Sequence, residues 1–423
     1  MKIGLALSGG GYRAAAYHIG TLNALDKLGV LPKVDVISSV SGGSIIAAYY
    51  ALHSNEEYKK IASDFSAKLK VGVLQYAIME LLGILLLCGV LIWLCGWWIL
   101  AIEIILIFCF QFKILPFSCL IEKRYNKHFF KGKTLIDFPI RPFVAINSTD
   151  VSTGQLFVFQ TNNIYGYQYQ NQNESIFKAK DFPIAKAVMA SSCVPFIFSP
   201  ITIPVAYYKE KYYNWKKKPL LIDGGLYDNQ GAHKLTEEQC PYKCDYIIVS
   251  DAGNSEINSN WVINTVSLLI KTSEILMRRI RNVQIQNNIY NHHNNGHTAY
   301  VSLMWDLSDR ILKGFINNAK NGNVSDHLLT LHNISKEEID NIGDENSQSY
   351  IDMLVKLKQN INWSVLEESK PSLNDRNIAR TVGTNLMGLS SEKINALIRV
   401  SEWLTEVQVR LYMPELIGNY LFV

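Results

Sequence analysis

Ser41 lies in the run Val36-Ile37-Ser38-Ser39-Val40-Ser41-Gly42-Gly43-Ser44-Ile45-Ile46. An apolar, β-leaning stretch meets a serine, then two glycines, then a helix-forming stretch. That is the sequence form of a strand–turn–helix nucleophile elbow. The turn is too sharp for ordinary backbone, so glycine flanks the serine. The hydroxyl is then presented at a helix N-terminus, whose partial positive charge favours an oxyanion. The usual spacing is G-x-S-x-G, and Ser39 stands here at the first glycine position. A small residue meets the same need for space. Alone, the run is equally compatible with a plain strand–helix turn. A working nucleophile also needs a base, donors for the oxyanion and a substrate.

Two further segments supply them. Leu7-Ser8-Gly9-Gly10-Gly11-Tyr12-Arg13 follows a strand-like run and opens a helix-like one. Gly9, Gly10 and Gly11 expose backbone N–H groups with no side chain in the way. A phosphate cradle is the competing reading, but neither G-x-x-x-x-G-K-[ST] nor the G-x-G-x-x-G spacing is present. An oxyanion hole fits better. Arg13 would steady this loop or meet an anionic group on the substrate; a plain ion pair is an equal alternative. The other segment is Leu220-Leu221-Ile222-Asp223-Gly224-Gly225. An apolar strand delivers Asp223 into a glycine turn, the place where parallel-sheet sites put a base for a serine hydroxyl. Asp-Gly is common in turns, so Asp223 gains meaning only beside Ser41 and the triple glycine.

These three motifs, in this order, resemble the patatin-like phospholipase family. The resemblance rests on G-G-G-x-R at 9–13, S-x-S-G-G at 39–43 and D-G-G at 223–225. Similar stretches are 147–150, 187–195 and, more weakly, 384–386 leading into 391–412. It spans most of the chain except the apolar insertion described below and about 261–373. It implies an α/β fold with three layers, α/β/α, around a mainly parallel sheet. It also implies a Ser41–Asp223 dyad without histidine, an acyl-enzyme on Ser41, oxyanion donors at Gly9–Gly11, support from Arg13 and Gly43, and no metal or cofactor. The implied substrate is a phospholipid ester. An acyltransferase or lysophospholipase would use the same dyad, and a noncatalytic membrane scaffold would keep only the fold. Uncontrolled phospholipase activity damages its host, so a lid, an activating partner or a homo-oligomer is expected as regulation.

The elements that must position these residues are legible from periodicity. Residues 2–7, 34–40, 143–147, 219–222 and 246–250 read as buried strands, and 155–159 as a strand pairing back on 143–147. Residues 13–28, 43–53, 184–191 and 391–412 read as helices. The opening β–α–β–α order implies a parallel sheet covered by helices. Residues 261–294 read as a long helical region, and the Asn-, Asp- and Ser-rich 320–349 as irregular. Of nine histidines, His18 reads as a packed structural residue. His292, His293 and His297 read as a polar loop before a metal cluster. Cys240 and Cys244 lack a second pair, so a loop with two thiols is favoured over zinc. A net charge of +4, without clustered basic residues beyond Lys216-Lys217-Lys218, gives no nucleic-acid signal.

One segment departs from a soluble α/β domain. Residues 81–102 carry no charge, and 104–110 continue the apolar pattern after Glu103. A bilayer crossing needs about 20 apolar residues, and Trp93, Trp97 and Trp98 would mark an interface. The segment is apolar all round, unlike a soluble helix. Lys59, Lys60, Lys68 and Lys70 precede it, and Lys113, Lys123, Arg124 and Lys127 follow it. Both flanks are basic and therefore expected on the cytoplasmic side. Ser41 and Asp223 also lie on either side of it in sequence. The expectation is a catalytic domain of 1–70 and 120–423, anchored by a transmembrane or re-entrant hairpin over 71–119. Glu80 and Glu103 would lie at an interface or be paired.

Overall fold

The computed structural model of the chain describes residues 1–96, 98, 100, 112, 117–171, 174–238, 240–253, 262–286 and 297–417. In chain order its strands are β1 (Ile3–Leu7), β2 (Val36–Val40), β3 (Phe143–Asp150), β4 (Gln155–Gln160), β5 (Ile164–Gly166), the short pair β6 (Gln170–Asn171) and β7 (Glu174–Ser175), β8 (Ile201–Thr202), β9 (Leu220–Asp223), β10 (Tyr246–Asp251) and β11 (His297–Ser302). The main sheet runs β11-β10-β1-β2-β3-β4-β5. From β11 to β3 every neighbouring pair is parallel, and β4 and β5 add antiparallel strands at one edge. Every residue of β1 and β2 is buried. Central parallel strands covered on both faces take this apolar, non-alternating composition.

The helices are α1 (Gly11–Lys27), α2 (Gly42–Leu52), α3 (Tyr58–Leu69), α4 (Val73–Cys95), α5 (Phe117–Tyr125), α6 (Ile184–Ser191), the single turns α7 (Gly225–Asp228) and α8 (His233–Thr236), and α9 (Thr265–Ile285). The C-terminal part adds α10 (Arg310–Lys320), α11 (Asp326–Leu331), α12 (Lys336–Asp340), α13 (Gln348–Asn360), α14 (Trp363–Glu368), α15 (Leu373–Thr381) and α16 (Ser391–Tyr412). Side chains alternate across the sheet. Ile3, Leu5 and Leu7 of β1 enter a large core with α1, α2 and α16, whereas Ala6 joins a smaller one with Leu235, Val249 and Tyr300. The expected helical layers are therefore unequal. One is broad, and the other is thin, supplied by α8, the end of α9 and Trp305.

Two expectations need correction. Residues 320–349 are not irregular: they hold α11, α12 and the start of α13. Serines that favour loops by type act here as N-caps. Ser325, Ser335 and Ser347 accept from the backbone amides of Leu328, Glu338 and Tyr350. Asp223 also ends an antiparallel strand, because β9 runs opposite to β3. A short apolar run carries no sign of its direction. The helix in 261–294 is described as α9, and His292 and His293 lie outside the described residues.

Among the described residues one helix, within Tyr58–Leu94, is long and apolar enough to cross a membrane. Its first turns pack on the protein through Val73 and Ala77. Beyond them Met79, Leu82, Leu86, Val90, Trp93 and Leu94 are exposed. Glu80 pairs with Arg124 of α5, which accounts for a carboxylate at this point of an apolar helix. Trp97, Glu103, residues 104–110 and Lys113 lie outside the described residues.

Candidate active site

Ser41 is the N-cap of α2 and adopts φ 50°, ψ −119°. A non-glycine residue rarely takes positive φ. The surroundings enforce it. A Cβ on Gly42 would collide with the Gly11 carbonyl, and one on Gly43 with the carbonyl oxygens of Leu7 and Ser8. The helix start is thus wedged against the end of β1, where only glycine fits. The Ser41 amide donates to Ser191 Oγ at 2.9 Å, and Ser191 Oγ also lies 2.9 Å from Ser44 Oγ. Ser39 is fully buried and its hydroxyl donates to the Ala145 carbonyl of β3. Its side chain therefore points into the β2–β3 seam, away from the elbow, which is why serine replaces glycine there.

Asp223 reaches Ser41 through strand register. Val40 of β2 stands opposite Asn147 of β3, and Asp223 of β9 stands opposite Ser148. β2 and β9 occupy the same edge of β3 and meet end to end. Each chain turns away at the meeting point, so the residue after Val40 and the last residue of β9 are neighbours. Residues 148–150 fasten β9 there. Ser148 Oγ donates to the Ile222 carbonyl at 2.8 Å and Thr149 Oγ1 to the Asp223 carbonyl at 2.9 Å; the Leu220 amide donates to Asp150 Oδ1 at 3.0 Å. The end of α6 holds both halves: the Asp223 amide donates to the Cys193 carbonyl and the Gly224 amide to that of Ser191. Sequence reasoning misses Ser191 as a positioning residue, because its role depends on a contact 150 residues away in the chain.

The Asp223 carboxyl is buried, and burial pushes its pKa up to about 6. The Gly225 amide, donating to Asp223 Oδ1 at 2.7 Å, and the nearby Ser41 hydroxyl oppose that shift. A hydroxyl beside a buried carboxyl whose pKa is raised toward neutrality is an arrangement able to move a proton.

The glycine loop lies beside the elbow. A Cβ on Gly9 would be 3.2 Å from Ser41 Cβ. The Gly9 amide is already committed, donating to the Asn229 carbonyl at 2.9 Å. Among the described residues no protein group accepts from the Gly10 or Gly11 amide, so these two are the loop's open donors. Gly10 and Gly11 have φ 141° and 60°, which the turn requires. Arg13 forms no salt bridge among the described residues. Its Nε donates to the Ala252 carbonyl at 3.0 Å and one terminal nitrogen to the Val382 carbonyl at 3.2 Å. Burial lowers its pKa to about 10, partly offset by Asp251. It is a strut between the loop, the end of β10 and the C-terminal segment. Sequence reasoning also misses Asn229, whose side-chain oxygen faces both Gly9 and Gly225.

Of the other histidine and cysteine candidates, His18, His297 and Cys244 are structural. His18 is fully buried, with Nδ1 2.8 Å from Ser250 Oγ and Nε2 3.0 Å from the Ser8 carbonyl. Burial lowers its pKa to about 4, so it is neutral at physiological pH. His297 stacks on Tyr246 in the sheet. Cys244 belongs to the smaller core.

A family model described as patatin-like phospholipase matches residues 5–235, which include the glycine loop, Ser41 and Asp223. No curated protein matches the chain. Among solved structures, human GIVD cytosolic phospholipase A2 is similar at 10% identity over 97% of this chain and 61% of that one, with a TM-score of 0.47. VipD from Legionella pneumophila is similar at 13% identity over 96% of this chain and 91% of that one, with a TM-score of 0.34. The chain spans about three fifths of the length of the human structure.

Proposed function

The chain belongs to the patatin-like phospholipase family, and from that premise we propose that it is a membrane-anchored lipid acyl hydrolase cleaving phospholipid carboxylic esters through Ser41 and Asp223. The observation that supports this is the end-to-end meeting of β2 and β9 on β3, which makes Ser41 and Asp223 neighbours.

Asp223 accepts the proton from Ser41 Oγ as Oγ attacks the ester carbonyl carbon. The carbonyl oxygen becomes an oxyanion, and the amides of Gly10 and Gly11 donate to it, aided by the N-terminus of α2. Gly9 holds the loop against Asn229 rather than donating to the oxyanion. The carbonyl re-forms, the bond to the glycerol oxygen breaks, and the proton on Asp223 passes to that oxygen. Water then attacks the acyl-Ser41 ester, giving its proton to Asp223. The second tetrahedral intermediate releases the fatty acid, and Ser41 Oγ recovers the proton. Arg13 and Gly43 act on the loop and elbow and need not touch substrate.

The anchor is the segment that α4 begins. β2 and β3 are neighbours in one sheet, and the insertion joins them, so the chain must return to the side it left. A hairpin over 71–119, crossing twice or re-entering, satisfies this. Basic flanks assign the catalytic domain to the cytoplasmic side. Vesicles of phosphatidylcholine test the activity. The wild type is expected to release fatty acid, and Ser41→Ala to lose at least about a thousandfold in rate. Equal release by both proteins refutes the hydrolase assignment.

A further inference from the structure

The helix α9 carries an apolar stripe on its outer face as well as apolar residues toward the protein. Ser267 and Lys271 are its buried residues, and Arg281 pairs with the buried Asp251 at 3.3 Å. Leu268, Leu269, Ile275, Leu276 and Val283 are between 43% and 55% exposed. At helical spacing these five form one outward stripe. A helix resting on a protein in water turns its apolar stripe inward. Five aliphatic side chains on the outer face of one helix mark a surface that something apolar covers.

Three placements tie this stripe to the surroundings of Ser41 and Asp223. α9 packs on α7, the turn directly after Asp223, and Arg281 fastens it to the end of β10. The loop after α6, whose Cys193 carbonyl accepts from the Asp223 amide, exposes Phe196 at 54% and Ile197 at 49%. Phe196 also has φ 68°, an unfavourable conformation for a bulky residue. On the glycine-loop side, the Asn385 carbonyl accepts from the Tyr12 amide and the Leu386 carbonyl from the Leu74 amide, so the outward-apolar α4 starts beside the loop. Exposed apolar side chains thus stand on three segments packed near the glycine loop or Asp223.

We propose that the outward stripe of α9, with Phe196 and Ile197, enters the lipid leaflet and seats the Ser41–Asp223 site against the headgroups. This rests on the phospholipid-hydrolase reading. The charge within the stripe selects lipid over a second copy of the chain. Arg279 is exposed among the aliphatic residues, with no acidic partner among the described residues. A leaflet offers phosphates at the depth an arginine reaches. A symmetric partner would bring the same stripe, and a second Arg279, against it.

The test uses the full chain in vesicles of phosphatidylcholine and phosphatidylglycerol, with a membrane-impermeant maleimide and peptide-level mass spectrometry. Ile275→Cys should react about tenfold more slowly than Val355→Cys, an exposed control on α13, because the leaflet shields it. Equal rates overturn the proposal. Oxidative cross-linking of Ile275→Cys to its counterpart in a second chain also overturns it, since a second copy then covers the stripe. The same rates are read in a Ser41→Ala background, so a chain without phospholipase activity still shows whether the leaflet shields α9. In an active enzyme, Leu268→Gln, Ile275→Gln and Leu276→Gln together should slow vesicle hydrolysis about tenfold and leave turnover of a soluble short-chain ester unchanged. Unchanged vesicle hydrolysis counts against it.

Discussion

Ser41 holds a backbone conformation that costs on the order of 1–3 kcal/mol, and its neighbours are chosen to sustain it. Gly42 and Gly43 let the chain approach Gly11, Leu7 and Ser8, and Ser191 fixes the amide. Asp223 is likewise held away from its ordinary behaviour. Burial raises its pKa to about 6, against the Gly225 amide and the nearby Ser41 hydroxyl, which lower it. The base form exists above that value, so proton uptake removes it as pH falls. The pH profile of kcat/KM should therefore drop about tenfold per unit below roughly pH 6. A profile flat down to about pH 4 would show that Asp223 is not the base. Ser41→Ala removes a lowering contact, so the Asp223 pKa should rise further in that variant. The types and order of these residues are readable from the chain, because nucleophile elbows and oxyanion loops demand particular residues. The commitment of the Gly9 amide to Asn229, and the contacts of Ser191 with both the Ser41 and the Asp223 segments, are not. Both depend on contacts between segments far apart in sequence.

At the scale of elements, β9 explains most. Its apolar run is legible as a strand, but its antiparallel direction is not, and that direction is what brings Asp223 to Ser41. The motif at 147–150 has a plain purpose once β9 is placed. Ser148, Thr149 and Asp150 hold its backbone. The helical period of α9 is readable in the chain, whereas the apolar stripe on its outer face becomes visible only through burial. The short helices α11 and α12 are hidden because the serines that cap them are the same residues that favour turns. The insertion that begins with α4 carries its own test. Protease-sensitive tags inserted after Asn55 and after Lys131, both on surface turns before and after it, should be cleaved equally from one side of a sealed vesicle. Cleavage of one tag from each side would mean an odd number of crossings and would contradict the hairpin.

Across the whole molecule, the parallel sheet acts as a frame in which distant segments converge on one edge. The glycine loop follows β1, Ser41 follows β2, and Asp251, which anchors α9 through Arg281, ends β10. Asp223 arrives from the opposite direction along β3. The large core of α1, α2 and α16 keeps this edge rigid, while α4, α9 and the Phe196 loop leave apolar surface around it. That division matches an enzyme whose chemistry is built on the protein and whose substrate comes from a bilayer. Ser41 as nucleophile is the centre of the proposed chemistry, and an alkyl fluorophosphonate tests it directly, since an activated serine oxygen displaces fluoride to form a stable phosphonyl ester. Mass spectrometry of the treated wild type should place a single adduct on Ser41, and Asp223→Asn should slow its formation by at least about a hundredfold. An adduct on another residue, or an unmodified Ser41 peptide after prolonged exposure, would contradict it.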